Sequence, residues 1–171
     1  MIALIGDAPT EVVADQNDVI HDLSVHEING LLAGLIYGFT QQNHLTEIES
    51  CYAGGSEMDQ EIQKAVIDFK AGGWDNITQG CLEVLLAAFQ IPQELSTCKG
   101  MSADLAAIES WASIFTNKSK LVGKVTRNFL MHKKVVTADI AELKADYTAE
   151  EYFKTGEEVA TIATVLLGTV Y

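Results

Sequence analysis

Three features are scarce in this 171-residue sequence: proline, long apolar runs and positive charge. Only Pro9 and Pro92 occur, so long helices meet little interruption. The longest apolar run, residues 28–39, gives 12 residues where a membrane-spanning helix needs about 18, so we expect no transmembrane segment. The opening MIALIG is too short for a signal peptide and lacks a basic leader, although removal of a longer leader could leave such a stub.

The charge balance excludes one large class of function. Eleven Lys and Arg stand against 24 Asp and Glu, a formal net charge of −13. A nucleic-acid binder is therefore not expected, because phosphate neutralisation needs an excess of Lys and Arg. Hydrophobic residues make up 48% of the chain and charged residues 20%, which is typical of a folded globular protein.

Three cysteines occur, and their spacing does not support a metal site. Cys51, Cys81 and Cys98 include no CxxC pair, so a zinc site of the usual kind is unsupported. One disulfide with one buried thiol fits the sequence, and so do three free thiols. We expect no metal and no cofactor.

The spacing of the apolar residues predicts an all-helical protein. Apolar residues recur at helical intervals, and no stretch alternates as a strand would. Capping boxes at 24–27 and 148–151 mark two helix starts. We predict a single compact bundle of six to eight helices over residues 24–171, preceded by a partly helical N-terminal segment at 1–23.

Three glycines recur at intervals of four along the apolar segment 28–39: Gly30, Gly34 and Gly38. Each interior glycine costs a helix about 1 kcal/mol relative to alanine, so the pattern needs a compensating gain. We favour close helix packing, because the absence of side chains lets another backbone approach closely. Two alternatives are a self-association face and a ligand pocket lined by Leu31, Leu35, Tyr37 and Phe39.

A helix predicted at 76–90, capped by Asp75, is apolar nearly all round and belongs in the middle of the bundle. Its small residues Gly80, Ala87 and Ala88 make it the expected neighbour of the three glycines.

Six of the eleven basic residues fall between positions 118 and 134, where no acidic residue occurs. We predict one amphipathic helix from 118 to about 135. A basic interaction face on it would place four residues within about 80° of one another: Lys120, Lys124, Arg127 and Lys134. The face is either a solvated exterior or a docking strip for an anionic partner. That partner could be the acidic surface of another copy, an anionic lipid headgroup or a polyanion. The rest of the chain, with 24 acids and 5 bases, favours another copy and disfavours an anionic membrane, which would repel it.

Catalytic motifs are not found. His21, Asp22, His26 and Glu27 are residue types from which a metal or acid–base site can be built, but their spacing matches no known motif. No GxSxG elbow and no strand-following glycine loop occurs. We therefore expect a protein that is not an enzyme.

Two sequons occur, at Asn76-Ile-Thr78 and Asn117-Lys-Ser119. Both asparagines are candidates for glycosylation and weak evidence for secretion. Asn117, in an expected interhelix turn, is the more accessible of the two.

The later part of the chain resembles a family of small secreted helical proteins of ciliate protists, for which we know of no assigned function. The resemblance covers about residues 45–168 and is carried by Cys98, Asp104, Ile108-Glu-Ser-Trp111-Ala-Ser-Ile-Phe115, Asp139-Ile140, Tyr152-Phe153-Lys-Thr-Gly156-Glu-Glu-Val-Ala160 and Leu167-Gly168. It implies a signal peptide upstream, an oxidising compartment, and a Cys51–Cys98 disulfide with Cys81 buried. It offers no catalytic residue, and residues 1–23 lie outside it.

These observations predict a non-enzymatic structural or interaction protein, secreted or held in a secretory organelle. We expect a homo-oligomer or larger protein assembly in which the basic helix meets the acidic body of another copy. The alternative is a carrier of a hydrophobic small molecule or lipid in the interior of the helical bundle.

Overall fold

The computed structural model describes residues 23–171, and within that range it contains helices and no strand. The all-α prediction is confirmed. The eight helices of this range are α1 Val25–Thr40, α2 Leu45–Cys51, α3 Glu57–Ala71, α4 Trp74–Glu94, α5 Ser102–Ser113, α6 Lys118–Met131, α7 Lys133–Thr148 and α8 Tyr152–Leu167. The predicted partly helical segment 1–23 lies, apart from Leu23, outside the described residues.

Helix α1 begins at the predicted capping box. The Ser24 hydroxyl accepts from the Glu27 backbone N–H at 3.1 Å, and the Ser24 N–H donates to the Glu27 carboxylate at 2.8 Å. These two bonds satisfy amides that the first helical turn leaves without partners. The helix ends where Gln41 takes a left-handed conformation, with φ at 62°.

One hydrophobic core runs through the described chain from Ile28 to Leu167. Helix α4 contributes many buried residues, but Leu86 and Phe89 are 41% and 39% exposed, so it is not enclosed on every side as predicted for a central helix. Helices α1 and α8 lie side by side along their lengths and bury the residues around the three glycines. The expected partner of those glycines is therefore wrong: α8 is their neighbour, and Gly80 of α4 instead lies under the ring of Phe69.

The limits of α4 also differ from the predicted ones. The helix begins at Trp74 with Gly73 at the N-cap, so Asp75 lies in the first turn and does not cap it. It continues through Pro92 to Glu94. Proline has no N–H to donate and its ring crowds the carbonyl four residues earlier, but the helix ends two residues later, so the disturbance is confined to the last turn.

The predicted helix from 118 to about 135 is two helices. Helix α6 ends at Met131 and α7 begins at Lys133, with His132 between them at φ −123°. Lys134 therefore belongs to a different helix from Lys120, Lys124 and Arg127. Helical periodicity did not reveal this break because a single residue separates the two helices.

The second predicted capping box, 148–151, does not start a helix. Thr148 is the last residue of α7, and α8 begins at Tyr152. Between them Glu150 has φ at 60°, and the Glu151 N–H donates to the Asp146 carbonyl at 2.9 Å. This is the left-handed turn that closes many helices, and it uses the residues that the capping pattern suggested for a start.

Cys51 and Cys98 form a disulfide that joins the end of α2 to the loop after α4, with 5.4 Å between their Cα atoms. Cys81 is a free thiol buried in α4, where burial raises its pKa above the ordinary value. The predicted pairing is confirmed. Between residues 23 and 171, no helix is long and apolar enough to cross a membrane.

Candidate interaction surfaces

The basic face of α6 is held in position by a cap and two buried side chains. The Asn117 side chain accepts from the Lys120 backbone N–H at 3.2 Å and so caps the helix. Leu121 and Val125 are the fully buried residues of α6. The helix therefore attaches to the body along a narrow stripe and leaves most of its circumference for polar residues.

Three basic side chains of α6 surround a shallow groove of about 350 Å³. Lys120, Lys124 and Arg127 line it together with Phe115 and Gly123. The ammonium of Lys124 lies 5.8 Å from the centre of the Phe115 ring, within the range of a cation–π contact. We define Lys120, Lys124 and Arg127 as the basic face.

The basic face is not neutralised within the described chain. Within residues 23–171 no carboxylate lies within 4.0 Å of the Lys120, Lys124 or Arg127 charge. On an acidic protein this arrangement leaves a local positive field that an anionic surface could neutralise.

Lys134 belongs to a second surface, at the corner between α6 and α7. It lines a groove of about 780 Å³ beside Leu130, Met131, Lys133 and Val135. Leu130 and Met131 are 72% and 68% exposed, and Val135 is 48% exposed. The four-residue basic face predicted from the sequence is therefore divided between two grooves.

A smaller groove of about 550 Å³ adjoins this corner and shares Lys133 with it. Lys70 and Lys144 also line it, beside the partly exposed ring of Trp74. Among the residues that the structure describes, no Asp or Glu lines either groove. The described lining of this corner therefore carries lysines and no carboxylate, in a chain with more than twice as many acids as bases.

Several acidic side chains lie together between α7 and α8. Burial, and then repulsion by neighbouring carboxylates, raises the pKa of Glu158 to about 7. Burial likewise raises the pKa of Asp139 and Asp146. One oxygen each of Glu158 and Asp139 is buried without a hydrogen-bond partner. This cluster resists ionisation, since each new charge adds to several already present.

A second buried carboxyl pair joins α3 to α4. Burial is the main reason why the pKa values of Asp68 and Glu83 are both raised. The hydrogen bond between the two carboxyl groups raises the pKa of Glu83 further, to about 9, and partly offsets the rise at Asp68. Glu83 is 6% exposed, and its Oε1 is buried without a hydrogen-bond partner. A proton on Glu83 removes this conflict by making it a donor.

The glycine ridge of α1 lies directly against the backbone of α8. A Cβ placed on Gly34 would overlap the Phe153 carbonyl oxygen and lie 2.7 Å from its carbon. A Cβ on Gly38 would lie 2.9 Å from the Glu157 carbonyl oxygen, whereas one on Gly30 would have only ordinary contacts. The space that these glycines leave is therefore occupied by α8, and Leu31, Leu35 and Phe39 are buried in protein contacts.

The histidine and carboxylate candidates serve the helix ends in the described part of the chain. His26 pairs with Glu49 across the surface, and Glu27 completes the capping box; His21 and Asp22 lie outside the described residues. No group of three or more metal-ligating side chains suitable for an ion occurs from residue 23 onward.

The fold gives His44 a partner that is distant in the sequence. Its Nε2 lies 2.7 Å from a carboxylate oxygen of Asp104, and the hydroxyl of Tyr171 donates to the other oxygen. The three groups join the start of α2, helix α5 and the last residue of the sequence. No pattern in the sequence links positions separated by 60 residues, so only the fold reveals this group.

The two sequon asparagines differ in their surroundings. Asn117 is exposed and uses its side-chain oxygen for the helix cap, which leaves the nitrogen available. Asn76 is half-buried, and its side-chain nitrogen donates to the Gly72 carbonyl at 2.9 Å. A glycan is attached through that nitrogen, so the geometry favours Asn117 as an acceptor.

Comparison with known proteins gives one match. Residues 10–168 match the family described as Secreted protein B-like (SctB-like). The comparisons with curated proteins and with solved structures gave no match. The match agrees with the resemblance to secreted proteins, while the link to ciliates stays a prediction. Because the match covers most of the sequence, the chain belongs to the Secreted protein B-like family.

Proposed function

We propose that this member of a secreted family is a non-enzymatic structural or interaction protein that assembles with copies of itself. In the assembly, the basic face (Lys120, Lys124 and Arg127) contacts the acidic exterior of a neighbouring copy. The observation that carries the proposal is a cationic helix face without ion pairs inside the described chain, on a protein of net charge −13.

Electrostatic complementarity supports this arrangement. Unlike surfaces attract and like surfaces repel, so contact between a basic face and an acidic surface is favoured over contact between two acidic bodies. Each exposed ion pair contributes about 0–1 kcal/mol, so several must act together. Salt screens such pairs over about 8 Å at physiological ionic strength, which makes the assembly sensitive to salt.

The experiment measures the molecular mass in solution at low and high salt, for the wild type and for a triple variant, Lys120→Glu, Lys124→Glu and Arg127→Glu. We expect the wild type to form oligomers that dissociate at high salt and the triple variant to be monomeric. A matched control reverses Lys99, an exposed lysine in the loop after α4, and should assemble as the wild type does. A wild type that is monomeric at every salt concentration contradicts the proposal.

The carrier hypothesis has less support. The space beside Gly34 and Gly38 is filled by α8, so a ligand would have no room there. The larger grooves lie on the surface, where lysines line them. Native mass spectrometry of the protein from its source would show a retained lipid if the carrier hypothesis were right.

A further inference from the structure

The groove of about 550 Å³ beside Trp74 has an apolar wall built from three helices. Trp74 and Ile77 of α4, Phe129 of α6 and Ile140 of α7 form this wall. Trp74 is 40% exposed, and its indole N–H donates to the Thr126 hydroxyl at 3.0 Å, which orients the ring. Small-molecule sites have volumes of about 300–1,000 Å³, so the groove has room for one small ligand.

Three lysines line the same groove. Lys70 belongs to α3, and Lys133 and Lys144 belong to α7. The Lys70 ammonium lies 4.6 Å from the centre of the Tyr147 ring, a cation–π contact that orients its side chain. Among the described residues, no carboxylate lies within 4.0 Å of the Lys133 or Lys144 ammonium. We call this groove, with its apolar wall and three lysines, the lysine groove.

We infer that the lysine groove binds a small amphiphilic anion, a molecule with one anionic group on an apolar body. The body packs against Trp74 and Phe129, and the anionic group lies among the ammonium groups of the three lysines. Ligand sites in proteins commonly combine apolar walls with a few charged groups that fix the orientation of the ligand. The inference goes beyond the proposed self-assembly, because it uses none of the residues of the basic face.

Both halves of such a ligand have a counterpart in the groove. Lysine side chains lay their alkyl stems along apolar surface and keep the ammonium group in water, so the positive charge lies at the rim of the apolar wall. An uncharged apolar molecule would leave that charge without a partner, and a small polar anion would leave the wall exposed to water. A molecule with both parts satisfies the charge and covers the wall.

The surroundings of the lysine groove favour it over the basic face as the site for this ligand. The groove of the basic face is smaller, about 350 Å³, and Phe115 is the aromatic residue in its lining. The lysine groove also adjoins the groove of about 780 Å³ beside Met131, and Thr137 and Ala141 line both. A longer apolar body can therefore continue toward Leu130 and Met131, which are 72% and 68% exposed.

The test titrates the full chain with two fluorescent probes that differ by one charged group. Anilinonaphthalene sulfonate is an aromatic anion, and anilinonaphthalene has the same rings without the sulfonate. Lys133→Gln combined with Lys144→Gln removes two charges from the lysine groove. The matched control, Lys99→Gln combined with Lys118→Gln, removes two exposed lysines that do not line it.

The two probes should respond differently to loss of the lysines. Exposed charge contacts contribute little individually, so we expect the groove double variant to bind the sulfonate at least about fivefold more weakly than the wild type. The control double variant should bind it as the wild type does. The uncharged probe should bind the wild type and both double variants equally, because it makes no charge contact.

A second variant blocks the groove while leaving every lysine in place. Ala141 is exposed and lies on α7 between Lys133 and Lys144, so Ala141→Glu places a carboxylate where the anion should bind. Its control is Ala106→Glu, at an exposed alanine of α5. We expect Ala141→Glu to weaken sulfonate binding and Ala106→Glu to leave it unchanged. Far-ultraviolet circular dichroism checks that each variant folds.

Three results would overturn the inference. The first is equal sulfonate binding by the wild type and the groove double variant. The second is an equal loss of the uncharged probe in that variant, because the lysines would then act through the shape of the groove. The third is loss of sulfonate binding in the triple variant of the basic face, which would place the probe there. None of these results bears on self-assembly, which the molecular mass in solution tests separately.

Discussion

Replacement of Gly34 by alanine tests whether the glycine ridge exists for contact between α1 and α8. In an open helix, the change should stabilise the protein by about 1 kcal/mol, because alanine is the better helix former. At Gly34 the added Cβ would overlap the Phe153 carbonyl oxygen and lie 2.7 Å from its carbon and 3.0 Å from the Glu157 nitrogen. All three atoms belong to the backbone, which cannot change rotamer to make room as a side chain can.

The expected cost follows from the movement required. Ordinary contact begins near 3.4 Å, so the carbonyl carbon alone requires α8 to move by about 0.7 Å, and the oxygen requires more. A gap of 0.5–1 Å forfeits about a quarter to a half of the dispersion energy of each separated contact. Overpacking of this kind costs about 1–3 kcal/mol or more. Because the overlap at Gly34 is with backbone, we take the upper end of this range, about 3 kcal/mol, and subtract the helix gain of about 1 kcal/mol, so we expect a net loss of about 2 kcal/mol.

Urea denaturation followed by far-ultraviolet circular dichroism measures this loss, and thermal unfolding should show a midpoint about 4–8 °C lower. Gly123→Ala is the matched control, since a Cβ there meets nothing within 4 Å, and it should raise stability by about 1 kcal/mol. Gly38→Ala should fall between Gly34→Ala and the benign Gly30→Ala. If Gly34→Ala stabilises the protein as Gly123→Ala does, the close-packing argument is refuted.

Three further predictions concern protonation, the disulfide and glycosylation. Folding raises the pKa of Glu158 to about 7 from 4.5, so the unfolded chain loses this proton first and the free energy of unfolding should fall as pH rises between those values. Urea midpoints measured across this range should show the fall, and Glu158→Gln should reduce it; a flat wild-type profile would count against the burial argument. Serine at both Cys51 and Cys98 should lower the free energy of unfolding by about 4 kcal/mol in the chain-entropy model, since the bridge closes a loop across 47 residues. Equal urea midpoints for this variant and the oxidised wild type would contradict a stabilising bridge. In a secretory expression host, mass spectrometry before and after glycosidase treatment should find a glycan at Asn117 and none at Asn76, and the reverse occupancy would contradict the geometry.

Local signals in the sequence predicted the fold class and several helix limits. The capping box at Ser24 forms as predicted, because it depends on residues three positions apart. The same reasoning failed at Thr148, where the left-handed turn at Glu150 uses the same residues to end a helix. A four-residue pattern cannot distinguish these outcomes, since the backbone bond that decides between them depends on where α7 and α8 pack.

Tertiary packing decides which helix lies against the glycine ridge, although the sequence contains one signal for that helix. Gly156 and Ala160 stand four residues apart in α8, and these small residues lie against Leu31 and Gly38 of α1. Because α4 is the more apolar helix, its own small residues were instead predicted to lie against the ridge. Pairing of two ridges is a property of the whole bundle, and a single helix pattern does not specify its neighbour.

The attachment of α6 explains why assembly and stability should be separable in this protein. The helix buries only Leu121 and Val125 completely, so its positive charges are not needed to fill the core. Reversal of the charges of Lys120 and Arg127, which are exposed, should change stability by about 0.5 kcal/mol or less. Reversal at Lys124 also removes its cation–π contact with Phe115, which contributes about 0.5–1 kcal/mol. The Gly34→Ala change should instead lower the stability without affecting assembly, since it strains the interior and leaves the basic face unchanged. If α6 serves assembly, reversing its charges should abolish oligomers in a protein of nearly unchanged unfolding midpoint, measured at a concentration where the wild type is monomeric.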